Sequence, residues 1–241
     1  MNDWFHHERP LIIGHRGASS YAPENSLRAI ALAAEQGADG VEFDVQLSAD
    51  GHPVLMHDST VDRTSNGRGR VTDLTLAQLK QLDLGDGQTV PTLDELFTSF
   101  GPQLLYNVEI KEWSLRGRGL ETAVAQAITR HNLAAKVVVS SFNPWVLRRI
   151  RPHLPAPAGL GMLRYRGLLQ YSYLFAPSDA DHPHYSMVDE AYMGWAKGRG
   201  QRVNVWTVDD PVEAQRLTRL GVQAIITNKP DIIREAVRTI L

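Results

Sequence analysis

LIIGHRGASSYAPENSLRAIALAAEQGADGVEFDVQL (residues 11–47) contains an apolar run, a helical pattern and a second apolar run in succession. LIIG (11–14) reads as a strand. Leu27, Ile30, Ala31 and Ala34 then recur at helical spacing, with Asn25 or Ser26 standing where an N-cap belongs and Gly37 closing the helix. GVEFDVQL (40–47) reads as the next strand. The alternation then pauses. SADG (48–51) is a turn, HPVLMHD (52–58) returns as a hairpin arm, and a polar loop RTSNGRGRVTD (63–73) leads to a short helix TLAQLKQL (75–82). VPTLDELFTSF (90–100) restarts the pattern, with Thr92 capping a helix that carries Leu93, Leu96 and Phe97.

From there the period is regular. Strands fit at 104–110, 136–140, 158–162, 177–180, 202–206 and 223–226, with helices at about 118–131, 143–150, 188–199 and 210–220 and a last one after Pro230. The apolar segment LRYRGLLQYSYLF (163–175) suits a helix or a wall of the mouth. Together with 11–14 and 40–44 this makes eight strands, the pattern of a (β/α)8 TIM barrel forming a single domain over 1–241, with a small hairpin-containing insertion at about 46–90 after the second strand. A doubly wound open sheet is the alternative, because counting strands does not prove closure.

Composition narrows the function. With 43% hydrophobic and 22% charged residues, the 241-residue chain can build an ordinary core. A net charge of -2 argues against a broad nucleic-acid surface, while leaving room for a local basic pocket that holds one phosphate. The absence of cysteine removes disulfides, thiolate metal sites and thiol nucleophiles. Residues 1–10 are polar, and no run of about 18 apolar residues occurs, so neither a signal peptide nor a membrane span is expected and the cytoplasm is the default location.

A barrel does its chemistry at the C-terminal ends of its strands. There the sequence sets His15-Arg16, Glu42 with Asp44, Glu109 with Lys111, Ser140-Ser141-Phe142, Asn204 with Trp206, and Thr227-Asn228. Residues two apart on a strand face one side. Three carboxylates aimed into one mouth repel one another and need a cation; oxygen ligands without cysteine suit one divalent ion, Mg²⁺ or Ca²⁺. If Ala49-Asp50-Gly51 and its neighbours make the turn, a simple register sets residue 46 opposite 55 and 44 opposite 57, returning His57 toward the carboxylates. His15 and His57 then form a general acid–base pair, and Arg16 and Lys111 supply positive charge for a phosphoryl group.

Each residue alone has a plainer explanation. A histidine at a strand end is usually just hydrogen-bonded, Glu-x-Asp is often the wet face of a strand, and Glu-x-Lys is often a simple ion pair. SNGRGR (65–70) lacks the strand, Gly-Lys-Ser end and helix of a phosphate loop and reads as a turn. His6, His7, His131 and His153 read as surface residues, and His182 and His184 as residues that could line the mouth. The coincidence at one rim carries the argument.

These residues belong to a longer series: GHRG, APENS, EFDVQLSADGHPVLMHD, RTSNGRG, PTLDEL, VEIK, SSF, VNVWTVDD and IITNKP, in this order and nearly end to end. The chain resembles the glycerophosphodiester phosphodiesterases. The resemblance implies a TIM barrel with a small insertion after the second strand. It implies hydrolysis of glycerophosphodiesters such as glycerophosphocholine or glycerophosphoethanolamine to glycerol 3-phosphate and an alcohol. It also implies metal ligands at Glu42, Asp44 and Glu109, an acid–base pair at His15 and His57, phosphate-binding cations at Arg16 and Lys111, and substrate-lining Phe142 and Trp206. Ser26 and Asn228 stand where the family often has Thr and Asp. Two other functions compete: a lysophospholipase D-type activity, which needs an apolar surface beside the mouth, and a silent barrel that binds a phosphodiester without cleaving it.

Overall fold

A computed structural model describes residues 1–114 and 116–241. Nine strands form: β1 (Leu11–His15), β2 (Gly40–Leu47), β3 (Pro53–Leu55), β4 (Leu105–Ile110), β5 (Val137–Ser141), β6 (Gly159–Arg164), β7 (Ala180–Pro183), β8 (Arg202–Val205) and β9 (Ala224–Thr227). All but β3 are parallel neighbours around a ring. β1 closes it by pairing with β2 on one side (Ile13↔Gly40, His15↔Glu42) and with β9 on the other (Leu11↔Ala224, Gly14↔Thr227). Closure excludes the open sheet. The helices are α1 (Leu27–Glu35), α2 (Leu76–Leu79), α3 (Leu93–Phe100), α4 (Leu120–Arg130), α5 (Pro144–Ile150), α6 (Glu190–Gly198), α7 (Pro211–Leu220) and α8 (Pro230–Arg238). Among the described residues no helix is long and apolar enough to cross a membrane.

The local signals act as the sequence indicates. Ser26 is the N-cap of α1, its Oγ accepting from the Ala29 N–H at 3.1 Å, and Thr92 caps α3 in a box with Glu95. Three expectations need correction. The first is the hairpin register: Gln46 pairs with Val54 and Leu47 with Pro53, one residue away from the simple pairing. The loop is the three residues Ala49–Gly51, closed by Ser48 N–H to His52 O at 2.9 Å, with Gly51 at φ 86°. The second is β7, which lies at 180–183 rather than 177–180 and carries His182 inside the barrel. The third is segment 163–175, which finishes β6 and then turns through a 3-10 run (Leu168–Leu174) where the other units have an α-helix.

The barrel interior is graded. Leu11, Ile13, Leu105, Val138, Ala224 and Ile226 fill the lower part together with Trp4, from a 3-10 turn before β1. The Trp4 indole donates to Lys136 O at 2.9 Å and plugs the bottom. The inward-facing His15, Glu42, Asp44, Asn107 and Glu109 lie toward the other end of the strands. Outside the barrel, Phe43, Phe97 and Tyr106 meet edge to face, with centroids 5.1–6.5 Å apart, where α3 covers β2 and β4. Phe97→Ala should cost about 3–5 kcal/mol of stability, read as a lowered urea midpoint. A loss below about 1 kcal/mol would mean that α3 can collapse onto the gap.

Candidate active site

Three adjacent strands assemble the site. The register sets His15, Glu42 and Asn107 in one row across β1, β2 and β4, and Asp44 and Glu109 side by side in the next. Two-residue alternation turns all of them inward. Glu42, Asp44 and Glu109 are 3%, 1% and 8% exposed, and each offers an oxygen within 4.8 Å of the others.

Two cations sit against this cluster. Lys111 Nζ lies 2.5 Å from Glu109 Oε1 and 3.1 Å from Asp44 Oδ1, and Arg16 Nε lies 3.2 Å from Asp44 Oδ2. Burial pushes the Asp44 carboxyl up, but Lys111 and Arg16 outweigh it and hold the group far below the usual range. Burial and then the neighbouring carboxylates raise Glu42 well above its ordinary value. Burial also raises Glu109, against the pull of Lys111. The set is short of positive charge. Glu42 Oε1 and Asp44 Oδ1 are buried without a hydrogen bond among the described residues, although Asp44 Oδ1 keeps its ion pair with Lys111. Unpaired buried carboxylate oxygens, with no softer donor among them, fit a hard divalent cation.

Arg16 occupies the left-handed region at φ 55°, which is uncommon for a non-glycine residue, and its N–H donates to Glu42 Oε2 at 3.1 Å. Gly17 follows at φ +82°, where an added Cβ would lie 2.4 Å from the Ala29 backbone, so only glycine lets this loop lie on α1.

The two histidines are held alike. His15 Nδ1 lies 2.7 Å from Asn228 Oδ1. The Asn228 amide is committed elsewhere, donating to Asp209 Oδ2 at 2.6 Å, while its backbone N–H donates to Asp209 Oδ1 at 2.8 Å. The Asn228 oxygen therefore accepts, His15 Nδ1 carries the proton, and Nε2 is the bare nitrogen. Burial and then Arg16 lower His15 to about 4, so the ring is neutral near pH 7. His57 Nδ1 lies 2.6 Å from Asp58 Oδ1, and Asp58 Oδ2 accepts from Arg63 Nε at 2.6 Å. Burial lowers His57, and the Asp44 charge opposes that shift. Gln46 helps place His57 by donating to Met56 O at 2.9 Å and His57 O at 3.2 Å. So His57 reaches the carboxylates in spite of the shifted register.

Two connected cavities result. The inner one, about 120 Å³, is lined by His15, Arg16, Glu42, His57, Glu109, Lys111, Phe142 and Trp206, and also by Asn107 and Leu163. Asp44 lies behind Lys111 and Arg16. The outer groove, about 1020 Å³, shares His57, Lys111, Phe142 and Trp206 and adds Trp113, Tyr165 and Leu169. Phe142 and Trp206 meet edge to face at 5.4 Å. The structure thus gathers all nine candidates at one end of the barrel.

Other histidines fall elsewhere. His182 is fully buried inside the barrel, and His184 packs on Trp206 at 5.2 Å; neither lines either cavity. His131 is half-buried against Asp94 at 2.8 Å, not free at the surface. Residues 65–70 form bends that end in a bridge from Arg70 to Thr60 and are followed by a single 3-10 turn (Val71–Asp73), and Arg70 lines the outer groove.

Sequence reading gave no site role to Glu24, Asn25, Asp58, Arg63 or Asp209. Glu24 joins Arg16 (2.9 Å) to Arg63 (2.7 Å), linking the two histidine loops, and Asn25 donates to Asp44 Oδ2 at 3.0 Å. The clue lay in APENS and RTSNGRG, whose charged and amide residues do more than form loops.

The sequence profile of the Glycerophosphoryl diester phosphodiesterase family matches residues 15–232. The chain is 38% identical to a glycerophosphodiester phosphodiesterase of Caldanaerobacter subterraneus subsp. tengcongensis over 95% of this chain and 98% of that one. A phosphodiesterase of Oleispira antarctica, solved in complex with the product sn-glycerol-3-phosphate, superposes with a TM-score of 0.82 at 31% identity, covering 95% of this chain and 97% of that one. A glycerophosphodiester phosphodiesterase from Thermotoga maritima gives 0.79 at 27% identity, covering 95% and 99%.

Proposed function

The chain belongs to the glycerophosphoryl diester phosphodiesterase family and is a phosphoric diester hydrolase, and from that premise we propose that it cleaves glycerophosphodiesters such as glycerophosphocholine and glycerophosphoethanolamine to glycerol 3-phosphate and an alcohol, with one divalent cation and two histidines. One observation carries the reading: Glu42, Glu109, Arg16, Lys111, His15 and His57 line one cavity of about 120 Å³, Asp44 is ion-paired behind Lys111 and Arg16, and each imidazole is bonded through Nδ1, which leaves Nε2 for the substrate.

Glu42, Asp44 and Glu109 would hold Mg²⁺ or Ca²⁺, which when bound supplies Lewis-acid stabilisation of the phosphoryl charge. Arg16 and Lys111 bind the non-bridging phosphoryl oxygens, where charge accumulates as the bond breaks. The small inner cavity takes the glycerol phosphate, and the outer groove takes the alcohol substituent. His57 lines both cavities and His15 only the inner one. His57 is therefore the acid that protonates the leaving alkoxide. His15, with its bare Nε2, is the base that takes the proton of the attacking water, whose oxygen bonds to phosphorus as the P–O bond to the alcohol breaks. The Oleispira antarctica relative is solved in complex with sn-glycerol-3-phosphate as product, which supports a glycerol phosphate as the product released here.

A second reading, lysophospholipase D-type cleavage, draws on the outer groove, whose Trp113, Phe142, Tyr165, Leu169 and Trp206 could cover an acyl chain. The two readings separate in kcat/KM. We expect soluble glycerophosphocholine to be turned over, and Trp113→Ala with Leu169→Ala to change that rate less than threefold. Turnover confined to lysophosphatidylcholine, and lost in the same double variant, would replace the first reading by the second. A silent binding barrel would turn over neither.

A further inference from the structure

Beside the carboxylates, the barrel interior holds further polar side chains that neither cation binding nor proton transfer uses. Asn107 of β4, Ser140 of β5, His182 of β7 and Asn204 of β8 are all at most 2% exposed. His182 is the hub. Its Nε2 lies 2.9 Å from the Asn204 amide and its Nδ1 3.5 Å from the Asn107 amide; a neutral ring accepts at one nitrogen and donates at the other, so one amide turns its NH2 and the other its oxygen to the ring. Room for the ring comes from Gly161 on β6, where an added Cβ would sit 2.4 Å from His182 Nε2. Burial keeps the ring neutral.

A polar layer in an otherwise apolar interior is costly unless its hydrogen bonds are met. Here they are not all met. Asn107 Oδ1 and Ser140 Oγ have no partner among the described residues, and Asn107 pairs across the sheet with Glu42. Asn107 and Glu42 both line the inner cavity. That cavity, about 120 Å³, sets the Asn107 amide against whatever fills it. A hydroxyl both donates and accepts, so it complements the Asn107 amide with either of its ends toward the cavity.

We propose that Asn107, oriented by His182 and Asn204, reads a hydroxyl of the substrate's glycerol moiety and makes the inner cavity selective for glycerol phosphate over an alkyl phosphate. The proposal rests on assigning the inner cavity to the glycerol side. Asn107 touches the substrate; His182 is a positioning residue acting through it.

Binding calorimetry on the whole chain, with Mg²⁺ or Ca²⁺ present, tests this without turnover. The ligands are sn-glycerol 3-phosphate, n-propyl phosphate and inorganic phosphate. The native chain should prefer glycerol 3-phosphate to propyl phosphate by about 10- to 100-fold, since a site built for a hydroxyl leaves buried groups unpaired when the hydroxyl is missing. Asn107→Leu should bring that ratio within threefold while inorganic phosphate binds as before. His182→Leu should weaken the preference, and His182→Gln, which can still bond an amide, should restore most of it. No preference in the native chain would overturn the proposal along with the assignment of the inner cavity. A preference that survives Asn107→Leu would overturn the proposal and leave the assignment intact. Should Asn107→Leu lose inorganic phosphate too, Asn107→Ala is read by the same ratio.

Discussion

His15→Ala should lower kcat on glycerophosphocholine by roughly 10²–10⁴-fold, the usual worth of a positioned general base, while KM changes only a few-fold. The expectation comes from how the ring is held. Asp209 fixes Asn228, Asn228 fixes the Nδ1 proton, and the bare Nε2 turns toward the cavity, 3.8 Å from Glu42 Oε2. His57→Ala should be as slow on the same substrate but should differ on another. A diester whose leaving group is 4-nitrophenolate needs no proton at departure. His57→Ala should then recover most of its rate, while His15→Ala stays slow. Equal recovery of both variants would remove the acid and base assignment. A His15→Ala rate within threefold of the native chain would remove the catalytic role of that ring.

Asp44→Asn should lower turnover at a fixed cation concentration by about 10³-fold or more, because Lewis-acid stabilisation is worth several kcal/mol. Cation affinity should fall by more than the 10–100-fold that loss of an outer-shell partner typically costs. Asp44 is the carboxylate that Lys111 and Arg16 keep ionised, and Asn25 holds it at both ends, donating to Oδ2 at 3.0 Å and accepting from its N–H at 3.2 Å. The amide is nearly isosteric but leaves two buried cations with one partner fewer, so the variant should also unfold at a lower temperature. The rise in melting temperature that Mg²⁺ or Ca²⁺ gives the native chain should vanish. If Asp44→Asn keeps that rise and its rate, the cation is held elsewhere.

The parts of this account that could be read from sequence are those with short-range signals. Glu42 with Asp44, and Glu109 with Lys111, are two-residue repeats on strands, and alternation alone gathers them on one side. Ser26, Thr92 and Gly37 mark helix ends through bonds that span only a few residues. What stayed hidden depends on distance or fine geometry. Closure of the barrel rests on β1 meeting β9, more than 200 positions away, and so does the bond from His15 to Asn228. The Trp4 plug bonds to Lys136. β7 reads Ala-Asp-His-Pro, a sequence with loop chemistry that becomes a strand because the barrel interior at that height is polar. The hairpin register turned on one residue, Gly51, whose φ of 86° sets a three-residue loop. Glu24 and Arg63 lie 39 positions apart, and only the folded insertion joins them.

The most direct test of the account is release of glycerol 3-phosphate from glycerophosphoethanolamine by the chain stripped with a chelator, before and after Mg²⁺ or Ca²⁺ is returned. The account predicts no release from the stripped protein and full release once one of the two ions is restored. Release that proceeds unchanged in the stripped protein would contradict a cation at Glu42, Asp44 and Glu109.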